Sequence, residues 1–252
     1  MHDIVTALTE QHAELAGLLE GLDEEDWQRP APSCEGWTVA DVVLHLAQTD
    51  ELASASARET FDEGVSGLLS GSATASNVDE AAEVMVVTER GASGAELFER
   101  WRTSADELRE VLAGCDPSAR KQWVSGDLSA RTLATTRLAE SWIHTRDVAE
   151  AFGIGLEAPD RLWHVARLAW RTVPYAFARS GREVPGPVAF ELRSPNGVTW
   201  EFQPEALPVT VIRGDAIDLC LVAARRADPA ETGLLGEGPD ARDVLELVRT
   251  YA

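Results

Sequence analysis

The stretch from Ser129 to Gly153 constrains the fold most, because it reads as one uninterrupted helix of about six turns. It contains neither glycine nor proline between its ends. Ser129 is a suitable N-cap residue, and Gly153 stands where a left-handed C-cap is expected. Apolar residues recur between them at helical spacing, namely Leu133, Leu138, Trp142, Ile143, Val148 and Phe152.

Glu140 and His144 lie four residues apart on this helix, so their side chains are stacked on one face. A carboxylate and an imidazole at this spacing are able to hold one divalent metal, and an exposed Glu–His hydrogen bond is the alternative interpretation. A metal needs a third ligand, and His45 is the candidate, because it lies on an apolar stripe and needs a buried partner. Two histidines and one carboxylate leave coordination positions open, which is typical of a catalytic site.

Three further helices complete a predicted four-helix bundle over residues 1–155. The first runs over about 3–22, and His12 is expected to be partly exposed at the edge of its apolar stripe. The second begins after Thr38, which resembles a capping box together with Asp41. The third runs over 94–112, and a shorter helix is expected before it. The bundle form agrees with a metal site built from side chains on facing helices.

The chain changes character over residues 156–252, where a small α+β domain is predicted. We expect a helix over 159–181, a hairpin over 188–202 around a Ser-Pro-Asn-Gly turn, and a third strand over 209–212. Two helices, over 215–226 and 240–251, are expected to close the chain. In the first half, the glycine-rich and serine-rich stretch 64–77 is expected to be a flexible loop that folds over a site. The predicted fold class is mainly α with a smaller α+β part.

The formal net charge of −21 argues against nucleic acid or an anionic membrane as partner, since both need a basic face. No apolar run approaches the ~18 residues of a transmembrane helix, and the N-terminus does not resemble a signal peptide. Cys34, Cys115 and Cys220 form no C-x-x-C pair, which fits a reducing compartment. Cys34 is either a reactive thiol before a helix or a small buried loop residue. We expect a cytoplasmic protein, monomeric or homodimeric, that acts on a small molecule.

Several motifs give this chain a resemblance to a known family. GWTVADVVLHL surrounds His45, and RLAESWIHTRDVAEAFG surrounds Glu140 and His144, with SCEGW, GDAIDLCLVAARR and GEGPDA elsewhere. With these motifs the chain resembles the maleylpyruvate isomerase family, within the DinB-like four-helix metalloproteins, and especially an actinobacterial branch of uncharacterised metal-binding proteins. The likeness runs over nearly the whole length. It implies a DinB-like bundle over residues 1–155 and a C-terminal domain of the maleylpyruvate isomerase type over 156–252.

The resemblance also implies a site. In the family, the residues that correspond to His45, Glu140 and His144 hold a divalent metal, usually zinc, and the better understood members use mycothiol, a small-molecule thiol, for isomerisation or thiol transfer. Some members have a functional arginine that corresponds to Arg226, although Arg225 stands here where relatives often have glycine. The alternative for Arg226 is a cation at a helix C-terminus.

Three functions are compatible with these features. The first is a metal-dependent isomerase or thiol transferase that uses mycothiol on a small carbonyl or carboxylate substrate. The second is a thiol-independent, metal-dependent lyase, cyclase or ring-opening enzyme of specialised metabolism. The third is a non-catalytic protein that binds a metal or a ligand. Open coordination positions favour an enzyme over the third function.

Overall fold

The computed structural model describes residues 1–68, 78–124 and 126–250, which fall into two compact units, Met1–Leu156 and Glu157–Ala252. The described residues are mostly helical, with one four-stranded and one two-stranded sheet. The predicted fold class, mainly α with a smaller α+β part, is confirmed. None of the described helices combines the length and the apolar character that crossing a bilayer requires.

The N-terminal unit is a bundle of four long helices with short elements between them. In chain order its elements are α1 (His2–Leu19), α2 (Glu24–Trp27), α3 (Val39–Ala57), α4 (Phe61–Leu68), α5 (Val78–Glu89), α6 (Gly94–Ala113), β1 (Arg120–Lys121), β2 (Leu128–Ser129) and α7 (Ala130–Ala151). The helices α1, α3, α6 and α7 form the bundle, because α3 packs against α6 and α7 and α1 packs against the same two. The strands β1 and β2 pair antiparallel just before α7.

The helix boundaries that matter for the site follow from capping residues. Ser129 accepts a hydrogen bond from the N–H of Thr132 at 3.1 Å and so begins α7 where the sequence predicts it. Gly153 follows the end of α7 with φ of +66°, as the left-handed C-cap requires. Thr38 and Asp41 form the predicted capping box at the start of α3. These caps fix where α3 and α7 begin and where α7 ends.

Two predictions for this unit are wrong. Residues 64–68 belong to α4 rather than to a flexible loop. This helix packs closely against α3, because Gly64 has no Cβ; a Cβ there would lie 2.9 Å from the Cβ of Ala55. The rest of the predicted loop, 69–77, lies outside the described residues. His12 is only 3% exposed, because α6 and α7 both cover the edge of the α1 stripe on which it lies.

The C-terminal unit is a four-stranded sheet with three helices. Its elements are α8 (Leu162–Arg179), β3 (Val188–Arg193), β4 (Thr199–Phe202), β5 (Thr210–Asp215), α9 (Ala216–Ala223), β6 (Leu235–Glu237) and α10 (Ala241–Leu247). The sheet order is β4-β3-β5-β6, with β3 antiparallel to β4 and parallel to β5. The predicted hairpin is confirmed, whereas β6 was not predicted and α9 and α10 end earlier than expected.

Candidate metal centre

The two capped helices α3 and α7 bring the three predicted metal ligands together. Oε2 of Glu140 lies 3.6 Å from Nε2 of His45 and 3.7 Å from Nε2 of His144. The ligand atoms of the three residues all lie within 4.8 Å of one another. These separations exceed those of normal hydrogen bonds. They are near the separation of about 3.3 Å between neighbouring ligand atoms around tetrahedral zinc with bonds of about 2.0–2.1 Å.

This cluster lies at the edge of the core rather than in its centre. Both histidines are buried, but the side chain of Glu140 keeps 15% of its surface exposed. The rings of His45 and His144 meet edge to face, with centroids 5.1 Å apart. On its other side, His45 lies 5.2 Å from the ring of Trp37, whose indole N–H donates to Glu83. The histidine rings are therefore packed against other rings, while part of the Glu140 side chain stays in contact with solvent.

Asp147 supports the cluster from behind, and it is not among the residues predicted from the sequence. Nδ1 of His144 lies 2.9 Å from Oδ2 of Asp147. A carboxylate in that position accepts a hydrogen bond from the N–H of Nδ1 and leaves the lone pair on Nε2 for a metal, which is the usual arrangement of a metal-binding histidine. A signal for it exists in the sequence, because an aspartate three residues after His144 lies on the same helix face.

Cys34 contacts the same carboxylate. Its thiol donates to Oδ2 of Asp147 at 3.2 Å, and the residue is half-buried in the loop before α3. Cys34, His144 and Asp147 also place their donor atoms within 4.8 Å of one another. These atoms already form hydrogen bonds among themselves, whereas Glu140 and the two Nε2 atoms stand farther apart. The geometry therefore favours His45, Glu140 and His144 as the primary ligand set.

The carboxylates of Glu140 and Asp147 lie on either side of the His144 ring and favour positive charge at this position. Burial lowers the pKa of His45, and Glu140 only partly opposes this. Burial also acts to lower the pKa of His144, but the hydrogen bonds to Asp147 and other neighbours outweigh it and hold the pKa well above its usual range. Burial acts to raise the pKa of Glu140, but His144 and His45 hold it well below its usual range. A positive charge beside Glu140 is therefore favourable, and a divalent cation would supply one.

Arg226, the predicted catalytic residue, lies directly after α9 in the C-terminal unit. The backbone N–H of Arg226 donates to the carbonyl of Leu221 at 2.8 Å, and that of Arg225 donates to Val222 at 3.0 Å. This is a Schellman motif, and Arg225 occupies its left-handed position with φ of +61°. The guanidinium of Arg225 donates to the carbonyl of Glu246 at the end of α10, which offsets the cost of that conformation. The catalytic role of Arg226 stays a prediction.

Comparison with known proteins agrees with the fold. Residues 8–149, which include the whole candidate metal centre, match the family described as Mycothiol maleylpyruvate isomerase N-terminal domain. Two uncharacterised proteins of Mycobacterium tuberculosis, from strains CDC 1551 / Oshkosh and ATCC 25618 / H37Rv, are each 32% identical over 251 residues, covering 98% of this chain and 95% of theirs. Crystal structures of the mycothiol-dependent maleylpyruvate isomerase and of a histidine-to-alanine mutant of it share the fold, with a TM-score of 0.62, 16% and 15% identity, and 95% of both chains covered. The resemblance predicted from the sequence is thereby confirmed, and the chain belongs to the mycothiol maleylpyruvate isomerase family.

Proposed function

We propose that this protein is a metal-dependent enzyme that acts on a small carbonyl or carboxylate substrate by thiol-assisted isomerisation or thiol transfer, with mycothiol as co-substrate. The observation that carries the metal part is the convergence of His45 Nε2, His144 Nε2 and Glu140 Oε2, which are too far apart for hydrogen bonds. Family membership supports the thiol part, since the solved relatives are mycothiol-dependent. We assign residues 1–155 to a DinB-like metal-binding domain and 156–252 to a C-terminal domain of the maleylpyruvate isomerase type.

Zinc fits this donor set best. Two imidazole nitrogens and one carboxylate oxygen are the protein ligands of several catalytic zinc sites, whereas structural zinc uses four protein ligands. Asp147 supplies the outer hydrogen bond that orients a ligating histidine. Nδ1 of His45 is buried and has no hydrogen-bond partner among the described residues, and the ring lies against the indole of Trp37.

The residues of the site have separable tasks in this proposal. A bound zinc ion supplies a Lewis acid that lowers the pKa of a coordinated water or thiol and polarises a carbonyl oxygen. His45 and His144 donate as neutral imidazoles, and Glu140 donates as a carboxylate, so the centre keeps a net charge near +1. Trp37 packs against the ring of His45 at a tilt and helps to hold it in position. Arg226 pairs with a substrate carboxylate through its planar guanidinium.

A turnover assay tests this proposal. Zinc-loaded protein is mixed with mycothiol and a series of small unsaturated keto acids that begins with maleylpyruvate, and isomerisation and loss of free thiol are followed together. We expect turnover that requires both zinc and mycothiol and that the Glu140→Gln variant loses. Turnover that persists in Glu140→Gln and after removal of zinc would contradict the metal-dependent enzyme. Zinc-dependent turnover without mycothiol would instead favour the thiol-independent lyase, cyclase or ring-opening enzyme, and zinc binding without any turnover would favour the binding protein.

A further inference from the structure

A second polar cluster joins α3 and α7 about one turn away from the metal ligands. Arg137 precedes Glu140 by three residues on α7, and Asp50 follows His45 by five residues on α3. Arg137 is 1% exposed and Asp50 is 0% exposed. Nε of Arg137 donates to Oδ1 of Asp50 at 2.9 Å, and its NH2 group donates to Oγ1 of Thr49 at 2.8 Å. We call Thr49, Asp50 and Arg137 the register clamp.

The register clamp is connected to a metal ligand by hydrogen bonds. The hydroxyl of Thr49 accepts from Arg137 and donates to the backbone carbonyl of His45 at 2.7 Å. The guanidinium on α7 is thus linked through the Thr49 hydroxyl to the helical turn that carries His45, where the carbonyl of Leu46 is a second, longer acceptor at 3.2 Å. A shift of α3 along α7 would therefore break these contacts and change the distance from His45 to Glu140.

The other two bundle helices meet the same region. His12 of α1 lies with Nε2 3.2 Å from Oγ of Ser141 and 4.0 Å from Oδ2 of Asp50. A guanidinium only donates, so the 2.6 Å contact from Arg109 of α6 makes Nδ1 of His12 the acceptor and leaves the hydrogen on Nε2. All four bundle helices thus contribute a polar side chain to this buried region, which restricts the sliding of α3 against its neighbours.

A gain in folding stability does not by itself explain why Asp50 and Arg137 are buried as an ion pair. Replacing a buried ion pair by apolar side chains of similar volume is often neutral or stabilising, because desolvation opposes the attraction between the charges. Oδ2 of Asp50 also has no hydrogen-bond partner among the described residues, so the pair is not fully satisfied. The best-attested use of such a buried polar group is to fix the register of packed helices.

We propose that the register clamp sets the separation of His45 from Glu140 and His144, so that its three members are positioning residues for metal binding. None of the hydrogen bonds that define the clamp ends on a ligand atom of His45, Glu140 or His144. The inference rests on the proposed metal site, because it concerns the affinity and the geometry of that site. It predicts that metal affinity depends on buried residues that are not ligands.

The test compares zinc affinity with folding in matched variants. The double variant Asp50→Leu with Arg137→Met removes both charges at similar volume, and Thr49→Val removes only the hydroxyl link. Leu108→Ala on α6, a buried residue outside both clusters, is the control for general loss of packing. Zinc affinity is measured by competition with a chromophoric chelator, the visible spectrum of bound Co²⁺ reports ligand geometry, and circular dichroism reports folding.

We expect the folded double variant to bind zinc about 10–100-fold more weakly than the wild type, as outer residues of metal sites do, and to change the Co²⁺ spectrum. Thr49→Val should show a smaller loss in the same direction, and it replaces the double variant if that protein does not fold. Leu108→Ala should keep the wild-type affinity and spectrum. Wild-type affinity and spectrum in the folded clamp variants would overturn the clamp, provided that His45→Ala loses zinc. Failure of the wild type itself to bind zinc would overturn the metal site and the clamp together.

Discussion

The two polar clusters between α3 and α7 differ in how closely their side chains approach one another. In the register clamp, the guanidinium of Arg137 donates hydrogen bonds to Asp50 at 2.9 Å and to Thr49 at 2.8 Å, and Arg137 and Asp50 are both buried. In the candidate metal centre, Glu140 stands 3.6 and 3.7 Å from its two histidines and keeps 15% of its side chain exposed. Buried polar groups that are hydrogen-bonded to one another hold the helices together. Groups kept just beyond hydrogen-bond distance, near solvent, leave room for an ion.

The largest effect on stability is expected in the clamp. Arg137→Met alone leaves Asp50 as a buried carboxylate without its cation, and breaking a buried pair in this way lowers the free energy of unfolding by about 3–5 kcal/mol. Urea denaturation followed by circular dichroism measures the change. Glu140→Gln is the matched substitution in the metal centre, and it should lower the free energy of unfolding of the metal-free protein by less than Arg137→Met does, because Glu140 lies beyond hydrogen-bond distance of both histidines and keeps 15% of its side chain exposed. Equal losses in the two variants would remove the distinction between the clusters.

Asp147 tests whether the outer hydrogen bond of His144 serves the metal. Asp147→Asn keeps the size of the side chain but weakens its hold on the Nδ1 hydrogen, so zinc affinity should fall about 10–100-fold. Competition with a chelator measures the affinity. Cys34→Ser keeps a donor to the same carboxylate oxygen and should change zinc affinity much less. A larger effect in Cys34→Ser than in Asp147→Asn would indicate that the thiol, rather than the carboxylate, supports the site.

Arg226 tests the part of the proposal that lies outside the bundle. Arg226→Lys keeps the charge but loses the planar fork, so kcat/KM for a carboxylate substrate should fall about tenfold to hundredfold, which corresponds to about 1.5–3 kcal/mol. Arg225→Gly is the control, because glycine accepts the left-handed φ of that position without strain. Steady-state kinetics with melting temperatures separate the two roles. Unchanged turnover in Arg226→Lys and Arg226→Ala would leave Arg226 as a helix-end cation.

Removal of zinc is expected to change the fold least. The core of the bundle is built from large apolar side chains that need no metal, among them Leu15, Trp101 and Leu108. A chelated sample should therefore keep its far-ultraviolet circular dichroism, while zinc at about 100 times its Kd should add about 2.7 kcal/mol of stability. Loss of helical signal on chelation would show that the metal is structural.

The features that the sequence predicts well depend on local periodicity and capping. The span of α7, the capping box of Thr38 and Asp41, and the hairpin of β3 and β4 all follow from residues that are near one another in the chain. The same local reasoning places Glu140 and His144 on one face, and the need of His45 for a buried partner points to them. Each of these inferences needs only helix geometry and one apolar stripe.

The features that the sequence does not predict depend on contacts between segments that are distant in the chain. Asp50 and Arg137 are 87 residues apart in the chain, and an acidic residue inside a helix is ordinarily expected at the surface. The thiol of Cys34 meets Asp147 across 113 residues, so its chain neighbours give no sign of its partner. β6 is short and exposed at every residue, so it carries no alternating pattern to recognise.

Metal content tests the central claim most directly. Wild type, His45→Ala, His144→Ala and Glu140→Gln are dialysed against the same buffered zinc solution, and zinc per chain is measured by mass spectrometry of the digested protein. Circular dichroism confirms that each variant is folded. The geometry of His45, Glu140 and His144 predicts one zinc per wild-type chain and almost none in the three variants. The same zinc content in all four folded proteins would contradict a metal centre at these residues.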